Sequence, residues 1–324
     1  MRWAFMAAAV AMAVPAFGQD DTEEIKPLSV EQATELVATT KGALFLDRGT
    51  ILTPETAEIL ARHDGALYLR EIDVLTPELA EALAKHSGEI NFEVSTLTKE
   101  AAEVLAKHKG SLVISGLTTL SEGVAEALAT HDGSVGLHSL NTLSLEDAEA
   151  LSKLKDWLVL PSLLTLSPEV AEALAKHEDA LIIGECTDLS PELAEALAKH
   201  DGLLSLKYQT SLTDQAAAAL AKHRGWLTLD IGTLTPGAAL ELAKHEGKLD
   251  FSGLKTLSDD AASALATHRG ELNLFRLETL SAKARNVSMT LRHLRDEISV
   301  AWELNRAWDR HVFGRVDPDL GCGL

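Results

Sequence analysis

The residues of this 324-residue chain that could do chemistry are few and periodic. His63, His86, His108, His131, His177, His200, His223, His245 and His268 fall in one column of a repeated phrase, typified by "LTPELAEALAKHSG" from Leu75 to Gly88. Leu154 interrupts the column. Imidazole is a common metal ligand and changes charge near neutral pH, so the column invites a metal or a proton sensor. A linear ladder, however, offers at most two neighbours per ion. A metal site needs converging ligands with organised partners behind them. A histidine at a helix C-terminus has a simpler use: it donates to unpaired carbonyls and suits the negative end of the helix dipole. The column therefore reads as structural, on the flank of a helix rather than in a pocket, with no metal and no cofactor.

The other candidates are weaker. Cys186 aligns with Leu140 and Leu163 and reads as a small buried hydrophobe. Cys322, in "GCGL", is the one candidate for a reactive or intermolecular thiol. Two cysteines cannot build the disulfide framework of a small secreted domain. The serines and threonines sit where helix caps belong, and the acidic residues lie on helix faces that read as solvated. No phosphate loop, zinc spacing or nucleophile–base pair is present, so the chain reads as non-enzymatic.

Composition narrows the partners. With 49 acidic against 29 basic side chains the net charge is −20, which disfavours nucleic acid and anionic lipid. Residues 1–18, "MRWAFMAAAVAMAVPAFG", carry Arg2, an apolar stretch from Trp3 to Val14, and small residues at Ala16 and Gly18. This is the pattern of a bacterial-type secretory signal cut before Gln19. The stretch is too short to span a bilayer, and no later apolar run is longer. An exported protein is expected, periplasmic, cell-surface or secreted, with no membrane span.

The elements that must carry the histidines are also periodic. Candidate helix-capping Ser or Thr residues stand at 29, 53, 76, 98, 121, 144, 167, 190, 213, 235, 258 and 281, at steps of 22 to 24. A fixed period of this size signals a solenoid. Thr76, Ser167 and Ser190 precede Pro77, Pro168 and Pro191, the order of an N-cap and first helical residue. Glu81–Lys85, Glu172–Lys176 and Glu195–Lys199 are spaced as i,i+4 pairs. Gly88, Gly110 and Gly133 stand two residues past the histidine, where a left-handed residue ends a helix, with Asp156 and Asp179 in that place in two copies. Helices of about ten residues follow from this reading. Short alternating runs come next, such as Leu112-Val113-Ile114 and Leu158-Val159-Leu160. Leucine columns recur at Leu117, Leu140, Leu163, Leu254 and Leu277, and before every cap from Leu52 to Leu280.

The pattern LxLxxLxxL followed by a helix, as in "LVLPSLLTLSPEVAEAL" from Leu158 to Leu174, resembles the leucine-rich repeat, most of all the bacterial surface-antigen type. The resemblance covers 42–280. It departs where leucine stands in place of an asparagine ladder, and in its longer, alanine-rich helix. It implies an α/β, right-handed solenoid of about eleven strand-turn-helix units, with a parallel sheet on the concave face and helices on the convex face. It implies binding as the usual role, without naming the ligand.

The ends depart from the repeat. Residues 19–41 read as an N-terminal cap with a helix but no strand before it. Residues 281–324 read as a C-terminal helical cap and loose tail. On the strand face, the outward columns vary between copies while the inward leucines hardly change. Trp157, Val159, Ile182, Leu203 and Trp226 gather there in four adjacent repeats. Tryptophan is costly to expose and is enriched in binding hot spots. These five residues are the candidate binding patch for a protein, peptide or glycan. The alternative is a self-associating envelope scaffold without a specific small ligand.

Overall fold

The computed structural model describes residues 27–278, apart from 47–48, 71, 73, 185–188, 210–211 and 275. The expected leader at 1–18, the C-terminal cap at 281–324, Leu280, Cys186 and Cys322 lie outside the described residues. Among those described, eleven strands alternate with eleven helices. The strands form one parallel sheet in chain order, from β1 (Leu44–Leu46) to β11 (Leu272–Asn273). The α/β repeat architecture read from the period is therefore present.

Register follows the period residue for residue. Leu44 pairs with Leu67, Leu67 with Ile90, Ile90 with Leu112, and so on to Leu272. A second column, Leu46, Leu69, Phe92, Ile114 and Leu137, runs beside it on the same face. Because side chains alternate across a strand, both columns point into the space between sheet and helices, and both are buried. Each such leucine contributes roughly 1.5–3 kcal/mol of transfer free energy, which no single unit could collect alone. Leu117, Leu140, Leu163 and Leu254 complete the core. The column before the caps is less uniform: Leu75, Leu97 and Leu212 are buried, whereas Leu52, Leu120, Leu143 and Leu166 are only partly covered.

The helices begin as the sequence indicates. In α3 (Pro77–Leu83) the Thr76 side chain accepts from the Leu79 N–H, and Pro77 occupies the first turn. α7 (Pro168–Leu174) and α8 (Pro191–Leu197) repeat this with Ser167 and Ser190. Ahead of the first strand, α1 (Val30–Thr39) carries a capping box between Ser29 and Gln32, and Pro27 bridges Ile51 in place of a full strand. α5 (Val124–Leu128) is an exception. Its N-cap is Gly123 at φ 77°, not Ser121, and no side chain caps it. The left-handed glycine brings the chain into the helix two residues late.

Three expectations need correction. The repeat helices are mostly seven residues long, not ten, as in α3, because the chain tightens after the leucine. The His86 N–H donates to Leu83 O at 3.0 Å, an i→i−3 bond that closes the helix in a narrow turn. The glycines two residues past the histidine are not left-handed; positive φ occurs at Gly42, Gly49, Gly116 and Gly123. They are needed because turns of adjacent repeats nearly touch: a Cβ on Gly133 would lie 2.7 Å from Gly110 O and 2.9 Å from His131 Nε2. Asp156 and Asp179 keep that place by folding the carboxylate back onto the next backbone N–H, at 2.7 and 2.8 Å. Finally, Lys85 and Lys199 reach the preceding helix rather than their own. Lys85 pairs with Glu58, Lys199 with Glu172 at 2.8 Å, and Lys222 with Glu195 at 2.9 Å. These pairs are exposed and contribute little each.

Candidate functional site

Two arrays of side chains stand out, one inside the molecule and one on the strand face. The inner array is the histidine column. The turn that follows each helix points the imidazole inward, towards the preceding repeat, and all nine rings are buried. The expected place on the helix flank is thus replaced by an interior seam. His86, His108 and His131 stack with centroids 6.1 Å apart. His177, His200, His223, His245 and His268 form a second stack at 5.7–6.3 Å, with planes within 19° of parallel. Leu154, 2% exposed, fills the break between them.

Backbone carbonyls of the preceding repeat meet these rings. His108 Nε2 lies 2.9 Å from Gly88 O, and His245 Nε2 lies 3.2 Å from Gly225 O. His131 has Gly110 O at 2.9 Å from Nε2 and Ala106 O at 3.3 Å from Nδ1. A carbonyl only accepts, and a neutral ring carries one N–H, so the shorter contact assigns that proton to Nε2. In His177, His200, His223 and His268 neither ring nitrogen reaches a partner. Burial holds the titration of His86, His108, His177, His200 and His245 below the ordinary imidazole range, and takes His223 to about 4. Where the rings do meet backbone carbonyls, they do so across repeats rather than within their own helix. Among the described residues no three His, Cys, Asp or Glu side chains come together as a metal site.

The outer array lies on the opposite face of the sheet. Its central column pairs Phe45 with Tyr68, Tyr68 with Asn91 and Val113 with Gly136. It continues through Val159–Ile182, Ile182–Ser205, Ser205–Thr228 and Asp250–Asn273. Val159 and Ile182 are therefore direct neighbours, at 3% and 1% exposure, while Trp157, Leu203 and Trp226 are half-buried around them. Trp157 and Trp226 are three strand steps apart, about 14 Å at a spacing of ~4.8 Å, so they flank the patch rather than touch. Lys248 Nζ sits 3.9 Å above the Trp226 ring and pairs with Glu271 at 2.9 Å. The cation covers one ring face, which leaves less indole for a ligand.

Sequence reasoning passed over three features of this face. Phe45, 60% exposed, stacks on Tyr68 at 4.5 Å and 15°. Both stand in the outward column, but the tryptophans drew the attention. Burial, followed by the charge and hydrogen bond of Glu89, pushes the Tyr68 phenol up to about 12. Farther along, Ser205, Thr228 and Asp250 make a buried polar row, with Asn273 Nδ2 donating to Asp250 Oδ2 at 2.8 Å. Burial pushes the Asp250 carboxyl up, against the pull of Asn273 and Lys248. Third, His138 lies outside the histidine column and is carried down to about 4 by burial. Gly136 makes room for it: a Cβ there would lie 2.9 Å from His138 Nε2. Their i,i+2 spacing was the available signal.

Among the described residues no helix is long and apolar enough to cross a membrane. Comparison with protein-family models and with curated proteins returned no match to this chain.

Proposed function

We propose that this chain is an exported, non-enzymatic binding module of leucine-rich-repeat type, which recognises a protein, peptide or glycan through its strand face. The observation behind this reading is the registered outward face itself. Its inner leucines are nearly invariant, yet its outward positions change from aromatic at Phe45 and Tyr68 to apolar at Val159 and Ile182 to polar from Ser205 onward. Packing demands leucine-like residues in the first set, whereas the second changes chemistry from copy to copy even where it is buried, as at Val159, Ile182 and Ser205. Trp157, Val159, Ile182, Leu203 and Trp226 are the proposed anchor, because large half-buried rings around an apolar floor are how binding energy is concentrated.

Replacing Trp157 and Trp226 together by Ser tests the patch. Capture of the partner from envelope extract by the wild-type chain should be lost, at a cost of about 2 kcal/mol or more in affinity. The melting temperature should change little. Undiminished capture rejects the patch, and a collapse in stability shows that the indoles are core. The self-associating scaffold is the second reading, favoured by the outer edges of β1 and β11, which pair with no further strand among the described residues. An exposed edge is a template for another chain. Light scattering over a concentration series separates the two: growth in mass supports the scaffold, and a constant monomer removes it.

A further inference from the structure

A stack of imidazoles sealed between repeats is an unusual thing to bury. An isobutyl group would fill the same space with no polar atoms, as Leu154 does in one repeat. In His177, His200 and His223 both ring nitrogens are cut off from water and from protein partners. A neutral ring tolerates this at moderate cost, whereas a charged one does not. Each ring also has another ring within 6.3 Å, so a second proton would face the first along the stack.

We propose that the histidine ladder is an acid-opened latch: neutral rings hold consecutive repeats together, and protonation of the stack parts them. The latch acts on the array whether or not the strand face is the binding surface.

The surroundings contain little to offset a positive ring. The charges acting on His223 are His200 and His245, and that on His245 is His268. His177 feels His200, with Asp179 opposing. Backbone groups of Leu203, Ala175 and Asp179 near His200 favour a charged ring, but less than burial disfavours it. The neighbouring Lys199, Lys222 and Lys244 turn outward to glutamates on the helix surface. Asp201, Arg224 and Glu246, which follow the rings in sequence, are exposed. In the first stack His86 faces His63, and His108 faces His86 and His131.

The direction follows from linkage. His86, His108, His177, His200, His223 and His245 titrate lower in the folded chain than in the unfolded one, so below about pH 6.5 the unfolded chain holds more protons. Stability is complete above that pH and falls as the pH drops towards the folded value. For His223, displaced from 6.5 to about 4, the folding equilibrium at pH 5 weakens by about 30-fold. His138 acts in the same sense and Asp250 in the opposite one. The exposed carboxylates of Glu58, Glu195 and Asp132 are held low by their lysines and respond only at more acid pH.

Hydrogen exchange on the full chain at pH 7.5 and 5.0, corrected for intrinsic rates, reads the latch repeat by repeat. Protection across 191–245 should fall by at least about 30-fold at the lower pH. In His200→Leu/His223→Leu, copied from Leu154, that fall should shrink by about tenfold or more, while the change around His86, His108 and His138 persists. Equal protection at both pH values, or an undiminished fall in the leucine variant, overturns the proposal. If the variant does not fold, NMR titration of carbon-13-labelled histidine in the wild type decides. Rings that stay neutral until the fold is lost support the latch, and rings that titrate near 6.5 in the folded chain refute it.

Discussion

At the scale of single residues, the same type of side chain has different reasons to be where it is. Gly110 carries no conformational demand; it is a glycine because a Cβ would strike the Gly88 carbonyl and come within 2.8 Å of His108 Nε2. Gly232 has open space around its missing Cβ and no positive φ. Gly110→Ala is therefore expected to cost about 1–3 kcal/mol by overpacking, whereas Gly232→Ala should be neutral or slightly stabilising. Urea midpoints followed by circular dichroism check both. Equal effects at the two sites would remove the close stacking of turns from the account. The histidines were legible as a column, but not as buried. Sequence spacing places a residue along a helix; the tight turn after Leu83 or Leu105, which rotates the ring into the seam, leaves no mark in the hydrophobic period. Likewise Trp157 and Trp226 could be assigned to one face from alternation alone, while the lysine resting on Trp226 depends on its own rotamer and on Glu271 one repeat further.

At the scale of elements, each repeat is a short helix whose beginning is written in its sequence and whose end is set by its neighbours. The cap residues make this testable. Thr76 holds the Leu79 N–H and closes the first turn of α3. Ser121 occupies the same phase in its repeat but caps nothing, because Gly123 has taken the role. Thr76→Ala should lower stability by about 1 kcal/mol, and Ser121→Ala by a few tenths or less. Thermal melts of the two variants provide the comparison, and a Ser121 effect as large as that of Thr76 would contradict the assignment of the cap to Gly123. Strand positions and their pairing were readable because a period of two within a period of 23 fixes both face and partner. Helix length was not: glycine past the histidine suggested a left-handed stop two residues on, and the tightening that ends the helix earlier uses ordinary right-handed angles at alanine.

At the scale of the whole molecule, the chain is a one-dimensional array. Each strand pairs with the strands of its sequence neighbours, and the ion pairs and histidine contacts lie within a repeat or span one. Stability is then a sum of unit and interface terms, and the strand face is a surface whose columns persist only while the phase persists. The proposed patch around Val159 and Ile182 and the proposed acid response of the ladder both depend on this one property. The most direct measurement of it is an in-phase deletion. Removing 236–258, one 23-residue unit, joins Thr235 to Asp259, so that one cap replaces another. Removing 236–247 instead joins a cap to the start of a strand. Urea unfolding of the full chain and both deletions, followed by far-ultraviolet circular dichroism, compares them. The in-phase deletion should unfold in one cooperative transition with an m-value lowered by roughly a tenth, in proportion to the surface lost, and the out-of-phase deletion should lose cooperativity. An in-phase deletion as disordered as the out-of-phase one would contradict the array, and with it the registered face on which the proposed function rests.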